Sequence, residues 1–80
     1  MEPIPITVSA HAGYKADEYP LSFIWQDREY PVREIRDRWY QADRDPRVPA
    51  ADYFKVETDS GIFILRHQLK DDRWFLLSAL

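Results

Sequence analysis

The stretch FIWQDREYPVREIRDRWY, residues 23–40, decides the fold, because it reads as a hairpin whose second arm is bent. Leu21, Phe23 and Trp25 alternate with Ser22, Ile24 and Gln26, the period of two that sends successive side chains to opposite faces of a sheet. The turn falls at Gln26-Asp27-Arg28-Glu29, and Tyr30 and Val32 resume the alternation. Ile35 and Trp39 then stand in the other phase. One extra residue near Arg33-Glu34 restores it, and a β-bulge supplies that residue while bending the strand. A helix competes for the second arm, since Val32, Ile35 and Trp39 are spaced i, i+3, i+7 and Pro31 suits a first helical turn. We read a bulged strand, because aromatics flank a short turn and residues 41–49 would break a helix at once. Asp-Arg is a weaker turn than Asn-Gly or Asp-Gly.

Working outward, Ile4, Ile6, Val8 and Ala10 alternate with Pro5, Thr7 and Ser9 as a first strand. Pro3 and Pro5 lack an N–H, so this strand is expected at an edge or paired along only one side. Residues 12–20 form a polar connection carrying Tyr14 and Tyr19, and QADRDPRVPAA, residues 41–51, an exposed loop. ADYFKVETDSGIFILRHQL, residues 51–69, is a second hairpin in which Gly61 can take a positive φ. A loop of residues 58–61 sets Val56 opposite Phe63 and Phe54 opposite Leu65, gathering the larger apolar set on one face; slipping by one residue would flip that set. Lys70-Asp71-Asp72 turns into a last strand over residues 73–77, with Trp74 and Leu76 on one face and Phe75 and Leu77 on the other.

The expected fold is all-β. One small antiparallel sheet of five or six strands curls into a partly open, SH3-like barrel or roll, since a flat sheet would leave one apolar face of the last strand wet. The expected core is Phe23, Trp25, Val32, Phe54, Val56, Leu65, Trp74 and Leu76. The first and last strands are the expected open edges, which leaves a homodimer and a self-closed monomer both open.

Eighty residues make a single domain, 1–80, of a size that buries only about 60% of its unfolded surface. There is no cysteine and hence no disulfide or thiolate zinc site. No secretory signal is expected in MEPIPITVSAHAG, and no stretch approaches the roughly 18 apolar residues of a membrane span. These features lead us to expect a cytoplasmic protein.

Catalysis has no motif here. His11 and His67 are the only histidines, and a metal or general-base role would require a third ligand or a carboxylate brought up in space. The serines sit in no nucleophile elbow, two glycines make no phosphate-cradling loop, and Asp43-Arg44-Asp45 and Asp71-Asp72 lack calcium-loop spacing. No catalytic residue, metal or cofactor is therefore expected. Tyrosine and arginine are the more informative signal. Arg28, Tyr30, Arg36, Arg38, Tyr40 and Tyr53 make the candidate binding surface, for a protein partner reached through a sheet edge or an aromatic patch. The alternative is stacking on single-stranded nucleic acid. A formal net charge of −3 opposes it, and residues 28–47 hold six of the eleven basic residues against five acidic ones.

The arrangement P-x-x-F-x-W-x-x-R-x-Y-x-V, read from Pro20, Phe23, Trp25, Arg28, Tyr30 and Val32, continues through Ile35, Trp39, Tyr53-Phe54, Val56, Gly61, Phe63, Leu65 and Trp74. It resembles an uncharacterised bacterial family of small β proteins, one of the domains of unknown function. It is also similar to modules at the C-terminal end of Y-family-polymerase-like mutagenesis proteins. The resemblance spans about residues 20–77 and rests on structural positions. Glycine is frequent in the family near the first turn, where this chain has Asp27-Arg28. What the resemblance implies is a non-enzymatic accessory module near DNA damage tolerance.

Overall fold

The computed structural model describes residues 2–11, 18–42 and 44–80; Tyr14, most of the first connection and Asp43 lie outside them. Among the described residues there are seven strands: β1 (Ile4–His11), β2 (Tyr19–Trp25), β3 (Arg28–Pro31), β4 (Glu34–Gln41), β5 (Ala51–Thr58), β6 (Gly61–Gln68) and β7 (Arg73–Ala79). Among the described residues there is no helix, and of the bulged strand read over residues 32–40, residues 34–40 are strand while Val32 and Arg33 form a break. The strands form one antiparallel sheet in the order β3-β2-β1-β7-β6-β5-β4.

The count exceeds the expected five or six because the bent arm is two strands. β3 and β4 stand at opposite ends of the sheet but are separated in sequence only by Val32 and Arg33. The Val32 N–H donates to the Leu21 carbonyl of β2 at 2.8 Å, and the Arg33 N–H to the Glu57 carbonyl of β5 at 2.8 Å. A sheet whose two end strands are consecutive in the chain must roll up, and the result is a half-barrel. The break at Val32-Arg33 restores the phase for Ile35, and the bulge lies at Arg36, not at the expected Arg33-Glu34: there the β4–β5 register passes from Ile35↔Val56 to Asp37↔Lys55, so that Trp39 falls opposite Tyr53 on the other face from Ile35.

The first turn is tighter than read from sequence. Trp25 pairs with Arg28, leaving a two-residue loop, Gln26-Asp27, with φ of 53° and 60°. Both values lie in the left-handed region that a type I′ turn demands, taken here without glycine. In the second hairpin the expected register is found, with Phe54↔Leu65 and Val56↔Phe63. Gly61 has a φ of 125°. The Thr58 hydroxyl donates to the Gly61 carbonyl and accepts from the Ser60 N–H, each at 3.0 Å.

Contrary to expectation, β1 is interior to the sheet order, and β1 and β7 cover each other. The reading from its prolines is half right, however: residues 4–6 pair only with β7, and residues 7–11 only with β2. Pro5 therefore stands where one side alone is engaged. The edges are β3 and β4 instead.

Six of the eight expected core residues are buried: Phe23, Phe54, Val56, Leu65, Trp74 and Leu76. Trp25 and Val32 pack against them half-buried. Tyr30 and Phe63 join the core. Phe23 and Tyr30 stack at 5.1 Å, and Phe63, from the opposite wall, meets both edge-on at 5.3 and 5.4 Å. These contacts between β2–β3 and β6 are where the sheet folds over onto itself.

Candidate functional site

The predicted surface does not assemble in one place. Tyr30 is a core residue, 9% exposed, and Arg28 lies over its ring at 5.3 Å at the tip of the first hairpin. Arg36, displaced outward by the bulge, donates through Nε to Glu57 Oε1 at 2.9 Å and also approaches Glu34 at 3.7 Å. Its pKa is raised by the hydrogen bond to Glu57, then by the charges of Glu57 and Glu34. Arg38 faces the other way. It pairs with Asp52 at 3.2 Å and covers Phe54 at 4.9 Å. Tyr40 opposes Asp52 on that inner side, and Tyr53 faces outward against Trp39.

What the fold brings together instead is a row on the outer face. Trp39, Tyr53, Arg66 and Phe75 are successive cross-strand partners on β4, β5, β6 and β7. Trp39 and Tyr53 stack at 5.4 Å with planes 7° apart. The Arg66 and Arg73 guanidiniums flank Phe75 at 6.0 and 5.3 Å, and Arg66 also donates to the Pro49 carbonyl. The row begins at an open edge, since every residue of β4 except Ile35 is exposed. Of its members the sequence reading included only Tyr53. The others become visible once the strand order aligns four separate segments.

A second feature lies at the end of the half-barrel, where β1 leaves β7 to join β2. A cleft of about 530 Å³ opens there, with Ile6, Val8, Ala10, Glu18, Asp72 and Trp74 among its walls. His67, 4% exposed, lies flat on Trp74 at 4.1 Å. Its Nε2 is 2.5 Å from Asp72 Oδ1, and Glu18 completes a group of three ligating side chains. His11, the other histidine, is exposed and stacks on Tyr19.

Compared with known sequences, residues 1–80 match throughout the model of a family described as a domain of unknown function, DUF6504. The chain belongs to this family. No curated protein and no solved structure matches. Membership in DUF6504 agrees with the resemblance to a family of unknown function, while no relative's name carries the link to mutagenesis proteins. No helix among the described residues is long and apolar enough to cross a membrane.

Proposed function

We propose that this DUF6504 chain is a non-enzymatic interaction module that takes an extended segment of a partner protein along β4. The observation that carries this reading is the pairing of an eight-residue, almost wholly exposed edge strand with the stacked Trp39–Tyr53 pair on the adjoining outer face. Unpaired N–H and C=O groups on an edge template an added strand, and alternate side chains of that strand then meet pockets or aromatic surface. Trp and Tyr are suited to such contacts because they bury large area with few rotatable bonds. The bend at Val32-Arg33, which lets one continuous stretch serve both ends of the sheet, supports a small barrel of SH3-like kind.

The outer row also supports a second reading, nucleic-acid binding, because guanidinium and aromatic planes in register are what unstacked bases use. The resemblance to modules of mutagenesis proteins would place such an accessory domain near DNA damage tolerance. Charge favours the protein partner: Arg36 and Arg38 are already held by carboxylates, and the chain is net acidic.

Selection of displayed peptides against the whole chain tests the first reading. Binders should shift the amide resonances of β4 and β5, and Trp39→Ala should weaken them. Binders that shift other strands, or that ignore Trp39→Ala, would count against it.

A further inference from the structure

We propose that Glu18, His67 and Asp72 form a binding site for one divalent transition-metal ion at the mouth of the end cleft. The three residues come from three parts of the chain: the position just before β2, the end of β6 and the β6–β7 turn. One ligand atom from each lies within 4.8 Å of the other two. His67 is pre-oriented, since its ring is 4% exposed and parallel to Trp74 within 7°. Its Nε2 is thereby held against Asp72, which with Glu18 lines the cleft.

Charge points the same way. Two carboxylates held this close repel one another unless a cation stands between them. Among the described residues no arginine or lysine forms an ion pair with Glu18 or Asp72; Asp72 meets only His67, and the nearby Arg73 is turned onto Phe75. A divalent ion supplies the missing charge to the whole group. One imidazole and two carboxylates make a mixed nitrogen and oxygen set suited to Zn²⁺, Co²⁺, Mn²⁺ or Fe²⁺, not to the thiolate-seeking Cu⁺.

The geometry needs a small adjustment. With metal bonds of about 2.0–2.1 Å, two ligand atoms on one ion stand roughly 3 Å apart. Nε2 and Oδ1 are 2.5 Å apart, so the Asp72 side chain, which is 75% exposed in its turn, moves outward while His67 stays fixed. Three protein ligands leave coordination positions for water from the cleft. The consequence is a clamp. Residues 7–11 of β1 have no β7 neighbour, and an ion joining Glu18 to the β6–β7 turn would bridge that seam.

The test uses the full chain with Zn²⁺ by calorimetry and Co²⁺ by visible absorption, beside melts with and without chelator. One ion per chain is expected, with ligand-field bands for Co²⁺ and a higher melting temperature with Zn²⁺, because an ion bound only by the folded state stabilises it. Glu18→Gln plus Asp72→Asn removes both charges at exposed or half-buried positions and should weaken binding at least about tenfold, as should His67→Ala. His11→Ala should change nothing. Binding weaker than about 1 mM, well below the strength of structural zinc sites, would overturn the proposal. So would binding that survives the double substitution, or that is lost with His11→Ala.

Discussion

Val32 and Arg33 are neighbours in the chain and hydrogen-bond to opposite ends of the sheet, Val32 to Leu21 and Arg33 to Glu57. This peptide is the seam of the half-barrel. Everything else in the topology follows from antiparallel pairing of strands consecutive in the chain, apart from the β1–β7 pairing that brings the two meanders together.

Arg33→Pro removes the donor to Glu57 and leaves that carbonyl without its partner, at a cost of about 2 kcal/mol. Arg33→Ala keeps the bond and loses only the exposed pair with Asp59, worth under about 1 kcal/mol. Urea melts of the two variants should therefore separate clearly. Equal midpoints would mean that the seam does not hold the fold.

Asp27→Gly and Gly61→Ala should move stability in opposite directions. Asp27 takes a φ of 60° that costs a side chain about 1 kcal/mol, and glycine relieves it. At Gly61 an added Cβ would sit 3.5 Å from the Leu80 carbonyl. Space is thus adequate, and the φ of 125° alone should cost about 1–3 kcal/mol. Thermal melts read both signs, and a stabilised Gly61→Ala would refute the turn geometry.

These turns also show what the residues disclosed. Alternation in Phe54, Val56, Phe63 and Leu65 fixed the second hairpin's register, because only one pairing put the larger apolar set on one face. The phase break between Val32 and Ile35 located the bend but not its role, since which strands lie on either side depends on contacts far along the chain. Tyr30 read as surface because a tyrosine carries a polar tip; only Phe63, arriving from the opposite wall, makes it core. His67 looked isolated for the same reason. Glu18 and Asp72 reach it through topology, with no spacing in the sequence to announce them.

Trp74→Ala should cost about 3–5 kcal/mol, as a buried indole lost from a close-packed site does. Trp74 is 7% exposed and supports both Phe54 and His67. Trp25, half-buried beside Tyr30 and Phe63, should cost less on the same change. Chemical denaturation of both variants checks the order, and a reversal would move the centre of the core to the first hairpin.

Oligonucleotide binding should be no tighter than about 10⁻⁵ M at physiological salt, the ordinary non-specific range. The reason is structural. Arg36 spends its charge on Glu57 and Glu34, and Arg38 on Asp52. Fluorescence anisotropy at two salt concentrations measures it. A submicromolar complex abolished by Arg36→Ala plus Arg38→Ala would instead favour the nucleic-acid reading.

Self-association turns on β4, the longer of the two edge strands, since β3 is only four residues long and β1 and β7 pair over residues 4–6. A two-fold axis between two antiparallel copies of an edge strand sets one residue opposite its own copy. Registers with the longest overlap of Glu34–Gln41 centre on Asp37 or Arg38. The first faces Asp37 with Asp37 and Arg36 with Arg38, and the second faces Arg38 with Arg38; like charges directly opposite are destabilising. Centring on Trp39 avoids the clash but keeps only residues 37–41. The edge is thus guarded against its own copy while remaining open to a foreign strand of complementary charge. Sedimentation equilibrium should show a monomer up to roughly 300 μM, because no full-length symmetric register escapes repulsion. Asp37→Thr plus Arg38→Thr should then permit a dimer. A wild-type dimer at low micromolar concentration that is lost when β4 is blocked by Asp37→Pro would show that the charges on β4 do not guard it.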